Sequence, residues 1–311
     1  MSRAEFEEAV EDDDEDEQDP NLDAAVDAKV ADRLDALGPV DVDGMTAEER
    51  AAVRLQRGDL LSELGLVERA LRDYREAARL NKSATYRRRV ADSYFAMGLP
   101  QKAFRTYRKA LQLNPDDPDS HLHMADFLSA MGRTAWAIDE FRAAVDLDPG
   151  NSYYRLRLGE AHLTMGQVDA AVEALRQASR LDPRVAYHRF RLANALVRVD
   201  RTEDAAQELE VAVALEPCDD YYLALLAMCY LMTEHPQGAI DALKQAIRVR
   251  PRNRVYRWLL EECADAPLRS ARDGVRSLEP PDDLDEYDRD YVRKLQAKVL
   301  RESEWERPGW A

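Results

Sequence analysis

Apolar side chains between Ser152 and Val185 follow the period of an α-helix in two consecutive segments. The segments meet at Gly166, and Pro183 closes the second one, so each segment is followed by a residue that ends a helix. The pattern therefore predicts two amphipathic helices joined by a tight turn, which together form a helical hairpin.

The same hairpin pattern recurs along the chain at a fixed spacing. Prolines close successive hairpins every 34 residues, at Pro115, Pro149, Pro183, Pro217 and Pro251. Small residues form three rows in the same register. These rows are Ala70, Ala103, Ala137, Ala171, Ala205 and Ala239; Ala77, Ala110, Ala144, Ala178, Ala212 and Ala246; and Gly58, Ala91, Ala125, Gly159, Ala193 and Ala227. Helices can approach closely only where their side chains are small, so the rows predict stacked hairpins.

The turn inside the hairpin changes its residue type along the chain. Glycine occupies it in the first four hairpins, at Gly65, Gly98, Gly132 and Gly166. Asp200 and Glu234 stand there in the last two. Glycine adopts a positive φ without strain and glutamate does so poorly, so we expect the last two turns to differ in shape.

A Leu-Gly pair, a later Ala-x-x-x-aromatic and the closing proline resemble the signature of the tetratricopeptide repeat family. The resemblance runs from Ala51 to Asn253 and implies an all-α solenoid of helical hairpins wound as a right-handed superhelix. It divides this stretch into six repeats, 51–83, 84–117, 118–151, 152–185, 186–219 and 220–253. The first repeat is one residue short and has Lys82 in place of the closing proline.

The segment before the repeats is strongly acidic. Residues 1–50 carry 19 acidic and 4 basic side chains, and we expect residues 1–20 to be a disordered tail because they contain few apolar groups. Residues 21–50 are expected to hold a capping helix and linker. The helix follows Asn21 and has Leu22, Val26, Val30, Leu34 and Leu37 on one face. It either covers the first repeat, which is the favoured interpretation, or binds a partner. Thr46 and Glu49 form a capping box for the next helix.

Two further helices follow the repeats. Residues 254–266 repeat the pattern of a first helix and predict a solitary capping helix. Residues 267–311 are expected to hold a proline-containing linker and an amphipathic helix. The apolar stripe of that helix is Leu284, Tyr287, Tyr291, Leu295 and Val299. This stripe must pack either on the solenoid or on another protein.

Charge and cysteine usage restrict the function. Most of the net charge of −17 comes from residues 1–50, because the remainder has 42 acidic and 40 basic side chains. A nearly neutral solenoid with an acidic tail disfavours nucleic acid as a partner. Three cysteines without metal-ligand spacing and a start without a signal-peptide pattern favour the cytoplasm. The longest apolar run, residues 221–232, is too short to span a membrane.

No motif for catalysis, phosphate binding or metal binding is present in the sequence. His121 and His123 come nearest, but two helical residues at this spacing point about 200° apart, which disfavours a shared metal. We therefore expect no enzymatic activity and no cofactor.

The resemblance implies that positions two, five, six, nine and twelve of each repeat line a concave binding face. The candidate partner-binding residues at these positions are Arg89, His123, Tyr153, Arg157, Tyr187, Arg191, Tyr221, Leu225 and Met228, and Met232 at the end of the apolar helix of repeat six is a further candidate. A tyrosine row beside an arginine row suits an extended partner with carboxylates and apolar side chains. Solvated or inter-repeat roles for these residues are the alternative. The Lys-Asn clamp of chaperone-binding family members is not matched, because Arg88 and Asp92 stand at its positions.

The sequence thus predicts a protein-protein interaction scaffold that holds a partner peptide or helix. A regulatory subunit of an enzyme complex and a self-assembling homo-oligomer are the alternatives. The first helix of repeat six, residues 221–232, is apolar on every side and needs a cover. That cover is either the chain's own helix at 284–299, which is favoured, or a partner's amphipathic helix.

Overall fold

The computed structural model describes residues 44–265, 275, 278–281 and 284–300. Across these residues every regular element is an α-helix, which confirms the all-α class. The helices are α1 (Ala47–Glu63), α2 (Val67–Leu80), α3 (Ala84–Ala96), α4 (Pro100–Leu113), α5 (Pro118–Ala130), α6 (Thr134–Leu147), α7 (Ser152–Thr164), α8 (Val168–Leu181), α9 (Ala186–Arg198), α10 (Thr202–Leu215), α11 (Asp220–Met232), α12 (Pro236–Val249), α13 (Arg254–Asp265) and α14 (Glu286–Val299). The acidic tail and the helix expected after Asn21 lie outside the described residues.

The chain divides into two compact units, residues 1–149 and 150–311. Helices α1 to α6 belong to the first unit and α7 to α14 to the second. Within each unit the helices of a hairpin pack against each other, and its second helix packs against the first helix of the next hairpin. This sequential packing is the stacking that the repeat pattern predicted.

Side-chain caps fix where several helices begin. Thr46 and Glu49 form the predicted capping box, in which the Glu49 amide donates to Thr46 Oγ1 at 3.2 Å and the Thr46 amide donates to Glu49 Oε2 at 2.7 Å. In the second unit, Asn151 accepts from the Tyr153 amide and Asp219 from the Tyr221 amide. These bonds satisfy amides that a helix leaves unpaired at its start.

The rows of small residues lie where the helices meet. All twelve alanines of the first two rows are fully buried. At Gly159 the approach of α7 to α8 leaves no room for a side chain, since a Cβ would lie 2.6 Å from Leu175 Cγ. The prediction that these rows mark close helix packing is confirmed.

The turns of the last two hairpins do not differ from the others, and that prediction was wrong. Asp200 and Glu234 adopt φ of 65° and 58°, close to the 71° of Gly166. The same backbone bonds close the turn in both cases: Gln167 N donates to the His162 carbonyl at 2.9 Å, and His235 N donates to the Tyr230 carbonyl at 2.8 Å. Because these bonds satisfy the last carbonyls of each first helix, the non-glycine residues are held in a left-handed conformation.

Helix α14 buries a slightly different stripe from the one expected. Tyr291, Leu295 and Val299 are buried as predicted, but Tyr287 is 55% exposed and Val292 takes its place. At 100° per residue Tyr287 lies about 80° from the centre of the buried face, in the first turn of the helix. The helix packs against α11 and α13 within the second unit.

Candidate partner-binding site

The first helices of the second unit carry the candidate site. Residues at positions two, six and nine of a repeat lie on one side of its first helix, and we call the surface they form the first-helix face. It consists of Tyr153, Arg157 and Glu160 on α7, Tyr187, Arg191 and Asn194 on α9, and Tyr221, Leu225 and Met228 on α11. Asn194 is buried; we call the other α7 and α9 residues the open stretch and the α11 residues the covered stretch.

Glu160 organises the open stretch. Its carboxylate forms ion pairs with Arg157 Nε at 3.2 Å and with Arg191 Nε at 3.0 Å, so it joins two consecutive repeats. The Tyr187 hydroxyl donates to the same carboxylate at 3.2 Å. Two guanidinium groups and a phenol therefore already surround one carboxylate.

The tyrosines of the open stretch face solvent. Tyr153 and Tyr187 are 44% and 36% exposed. The guanidinium group of Arg157 lies 5.9 Å from the ring centroid of Tyr153, and that of Arg191 lies 5.8 Å from the ring centroid of Tyr187. Partial burial raises the pKa of Tyr187, which keeps its hydroxyl protonated and able to donate. The aromatic rings are thus held in place by neighbouring cations but remain accessible to a partner.

The two candidates in the first unit form the same kind of pair with the preceding repeat. Arg89 Nε lies 3.3 Å from Asp59 Oδ1, and His123 Nδ1 lies 3.1 Å from Asp92 Oδ1. Tyr107 also donates to Asp92. These contacts agree with the inter-repeat role that the sequence left as an alternative for both residues.

Sequence reasoning missed the acidic partners of these bases. Asp59, Asp92 and Glu160 all stand at position nine of their repeats. The repeat period alone contained the signal, because acidic residues recur at position nine as regularly as basic residues recur at position six. The arginine row is therefore half of a ladder of ion pairs.

The covered stretch lies inside the protein. Tyr221, Leu225 and Met228 are each at most 2% exposed, whereas Met232 is partly exposed. Helices α10 and α12 pack on two sides of α11, and α14 packs on the remaining side. Of the two covers considered from sequence, the structure has the chain's own C-terminal helix. A partner can reach these three residues only if α14 leaves.

Polar side chains hold α14 in this position. The buried Lys298 donates to the Tyr221 hydroxyl at 2.6 Å, and its ammonium lies 5.3 Å from the Tyr221 ring centroid. The Tyr291 hydroxyl lies 3.0 Å from that of Tyr256, which donates to Asp220 at 2.6 Å. Burial raises the pKa of Tyr291. The contact between α14 and the repeats thus contains several buried polar groups.

The histidine pair does not form a common site. His121 lies 2.8 Å from Glu140, whereas His123 pairs with Asp92. The hydrogen bond to Glu140 raises the pKa of His121. Within the described ranges no group of three or more histidine, cysteine or acidic residues could hold a metal ion. The same residues include no helix that is both long and apolar enough to cross a membrane.

Paired helices of 13 to 14 residues, alanine rows at their crossings and left-handed turns between them define a tetratricopeptide repeat protein. Residues 70–279 match the family model described as the Cilia and flagella-associated protein 70 C-terminal domain. The chain belongs to this family. Comparison with curated protein sequences finds no match.

Solved structures share the fold at low sequence identity. The structure of PilF from Pseudomonas aeruginosa is 22% identical, covers 70% of this chain and 99% of its own, and has a TM-score of 0.57. A chain of the APC/C hetero-tetramer Cut9-Hcn1 is 16% identical, covers 76% of this chain and 46% of its own, and has a TM-score of 0.52. MamA is 20% identical, with coverages of 60% and 96% and a TM-score of 0.50.

Proposed function

We propose that this protein is a non-catalytic interaction scaffold that holds a partner peptide or helix against the first-helix face. The main observation in support is the open stretch, where two exposed tyrosines lie beside two half-buried arginines on consecutive repeats. Aromatic and arginine side chains contribute most to binding at protein interfaces.

The chemistry of the open stretch suits an acidic partner. Arg157 and Arg191 both pair with the carboxylate of Glu160, so two guanidinium groups converge on one position of this surface. A partner carboxylate that joins or replaces Glu160 meets the same guanidinium groups. Tyr153 and Tyr187 offer apolar ring area next to that carboxylate. We therefore propose a peptide that has acidic side chains alternating with apolar ones.

The test is selection of peptides from a random displayed library on the intact protein, followed by affinity measurement. Arg157→Gln combined with Arg191→Gln should weaken the selected peptides at least about tenfold, because each guanidinium-carboxylate contact is lost. The matched control combines Arg180→Gln with Arg184→Gln, which removes the same charge from exposed positions of the same unit. Equal binding by both double variants would refute the proposal, provided that both melt like the parent.

Two predictions from the sequence remain proposals. The cytoplasmic location is supported by the three cysteines, which are all free thiols. Burial raises the pKa of Cys229 to about 12 and of Cys263 to about 11, so these two are poor nucleophiles.

The self-assembly alternative is tested by measuring the molar mass with light scattering. A protein that stays monomeric at high concentration would exclude self-assembly.

A further inference from the structure

Helix α14 contacts the first-helix face at the repeat where that face is apolar. Lys298 reaches Tyr221, which occupies the position that Tyr153 and Tyr187 occupy in the open stretch. We infer that the covered stretch is a groove for an amphipathic helix and that α14 is its internal occupant, which a partner helix replaces. This inference rests on the proposed function, because it uses the same face for binding.

The packing around α11 provides the first argument. Its two neighbouring repeat helices, α10 and α12, pack on two sides of α11, as α8 and α10 do on α9. In α7 and α9 the first-helix face carries the exposed tyrosines. In α11 that side is buried, and a helix from outside the repeats contacts it at Tyr221. At the tyrosine position the face is therefore open in two repeats and occupied by a helix in the third.

The chemistry of the contact provides the second argument. Beside its apolar side chains, the contact with α14 includes a buried lysine and a tyrosine pair. Lys298 gives up hydration when α14 binds and regains it when α14 leaves. The side-chain amide of Gln296 donates hydrogen bonds to the backbone carbonyls of Val275 and Leu278. A mixed polar and apolar contact of this kind is typical of interfaces that exchange rather than of a permanent core.

The buried stripe of α14 describes the partner that fits the groove. It has an aromatic hydroxyl at Tyr291, aliphatic side chains at Val292 and Leu295, and a cation one turn further on at Lys298. We therefore expect an amphipathic helix that carries a tyrosine, two aliphatic residues and a lysine at these spacings. Helices without the cation leave the Tyr221 hydroxyl without its donor.

The experiment uses the full chain and a fluorescent peptide of residues 284–300. Leu295→Glu in the chain places a charge at a fully buried position of α14 and leaves the groove residues unchanged. The control is Tyr287→Glu, which makes the same kind of change at an exposed position of the same helix. The peptide should bind the Leu295→Glu protein at least about tenfold more tightly than it binds the parent or the Tyr287→Glu protein. A peptide that itself carries Leu295→Glu should not bind.

Absence of peptide binding to a folded Leu295→Glu protein would overturn the inference. Hydrogen exchange on the unmodified protein provides a test that does not depend on the folding of a variant. Amides of α14 should exchange in an opening that leaves α11 and α12 protected. A single opening that exposes α11, α12 and α14 together would show that α14 is a permanent part of the core and would also overturn the inference.

Failure of this inference is separable from failure of the proposed function. The paired Arg157→Gln and Arg191→Gln changes should not affect binding of the 284–300 peptide, because neither residue lies in the covered stretch. If these changes abolish capture of selected peptides while the 284–300 peptide never binds, only the groove is refuted. If the 284–300 peptide binds but the arginines are unimportant for selected peptides, only the open-stretch proposal is refuted.

Discussion

The open stretch on α7 and α9 and the covered stretch on α11 occupy equivalent positions of successive repeats but have opposite environments. Position nine is Glu160 in one and Met228 in the other, and both side chains lie on the first-helix face. Glu160 is partly exposed and pairs with two arginines, whereas Met228 is buried on a helix that packs against α14. The repeat scaffold therefore fixes where a side chain lies, and the residue type determines whether that place meets solvent or another helix.

Exchanging the residues at position nine should give the largest difference between the two stretches. Met228→Glu buries a carboxylate without a partner and should cost at least about 3 kcal/mol in the free energy of unfolding. Glu160→Met loses two partly exposed ion pairs and should cost about 1 kcal/mol or less. Urea unfolding followed by circular dichroism measures both. Equal costs would mean that α14 does not cover Met228.

Overpacking the hairpin interiors should affect both stretches alike. Ala171 in repeat four and Ala239 in repeat six are fully buried at the same position. Ala171→Leu and Ala239→Leu should each cost about 1–3 kcal/mol, because leucine forces the paired helices apart. Damage should extend to the adjoining repeats. If the melt of Ala171→Leu overlaid that of the parent protein, the assigned packing at this crossing would be incorrect.

The hairpin turns should show a smaller difference. Glu234 holds a left-handed conformation that Gly166 adopts freely, so Glu234→Gly should stabilise the protein by about 1 kcal/mol. Gly166→Glu should destabilise it by a similar amount. Glu234→Ala is the control, since alanine keeps the Cβ that causes the strain and removes the rest of the side chain with its charge. Thermal melts of the three variants measure these changes in stability. If Glu234→Ala stabilised the protein as much as Glu234→Gly does, backbone strain would not be the cause.

The smallest expected effect is a pH dependence confined to the open side of the comparison. Burial lowers the pKa of His188 on α9, while the nearby Asp182 and Glu160 oppose this effect. A lowered pKa in the folded state means that unfolding takes up a proton, so stability is complete above the unfolded value of about 6.5 and falls as the pH drops below it. His188→Gln should reduce this loss between pH 7 and pH 5. An unchanged pH profile would assign the loss to other groups. The equivalent residue of α11 is Tyr222, which is not charged in this range.

Most of the fold could be predicted from the sequence because the same pattern of helix ends and buried positions recurs every 34 residues. The alanine rows predicted where the paired helices are in contact, and Thr46 with Glu49 predicted the start of α1. The turns at Asp200 and Glu234 were mispredicted because residue preference was weighed without the backbone hydrogen bonds that close each turn. Local preference costs about 1 kcal/mol, and the packing of the hairpin outweighs it.

The site was harder to predict because its environment comes from contacts between distant residues. The sequence placed Tyr153, Arg157, Tyr187 and Arg191 on one face, but their joint contact with Glu160 required the spacing between repeats. The apolar stripe of α14 was recognisable, yet no periodicity specifies which surface a stripe meets. The contact of Lys298 with Tyr221 joins residues 77 positions apart.

The connection between α13 and α14 has a consequence for how the groove responds to dilution. Twenty residues, 266–285, separate α13 from α14 in the sequence. Because α14 belongs to the same chain as its binding surface, its local concentration there is fixed, on the order of millimolar for a short covalent connection. Occupancy of the covered stretch by α14 is therefore independent of how much protein is present. A separate partner helix, by contrast, displaces α14 only when its concentration is high enough, or its affinity strong enough, to outcompete the fixed local concentration of α14.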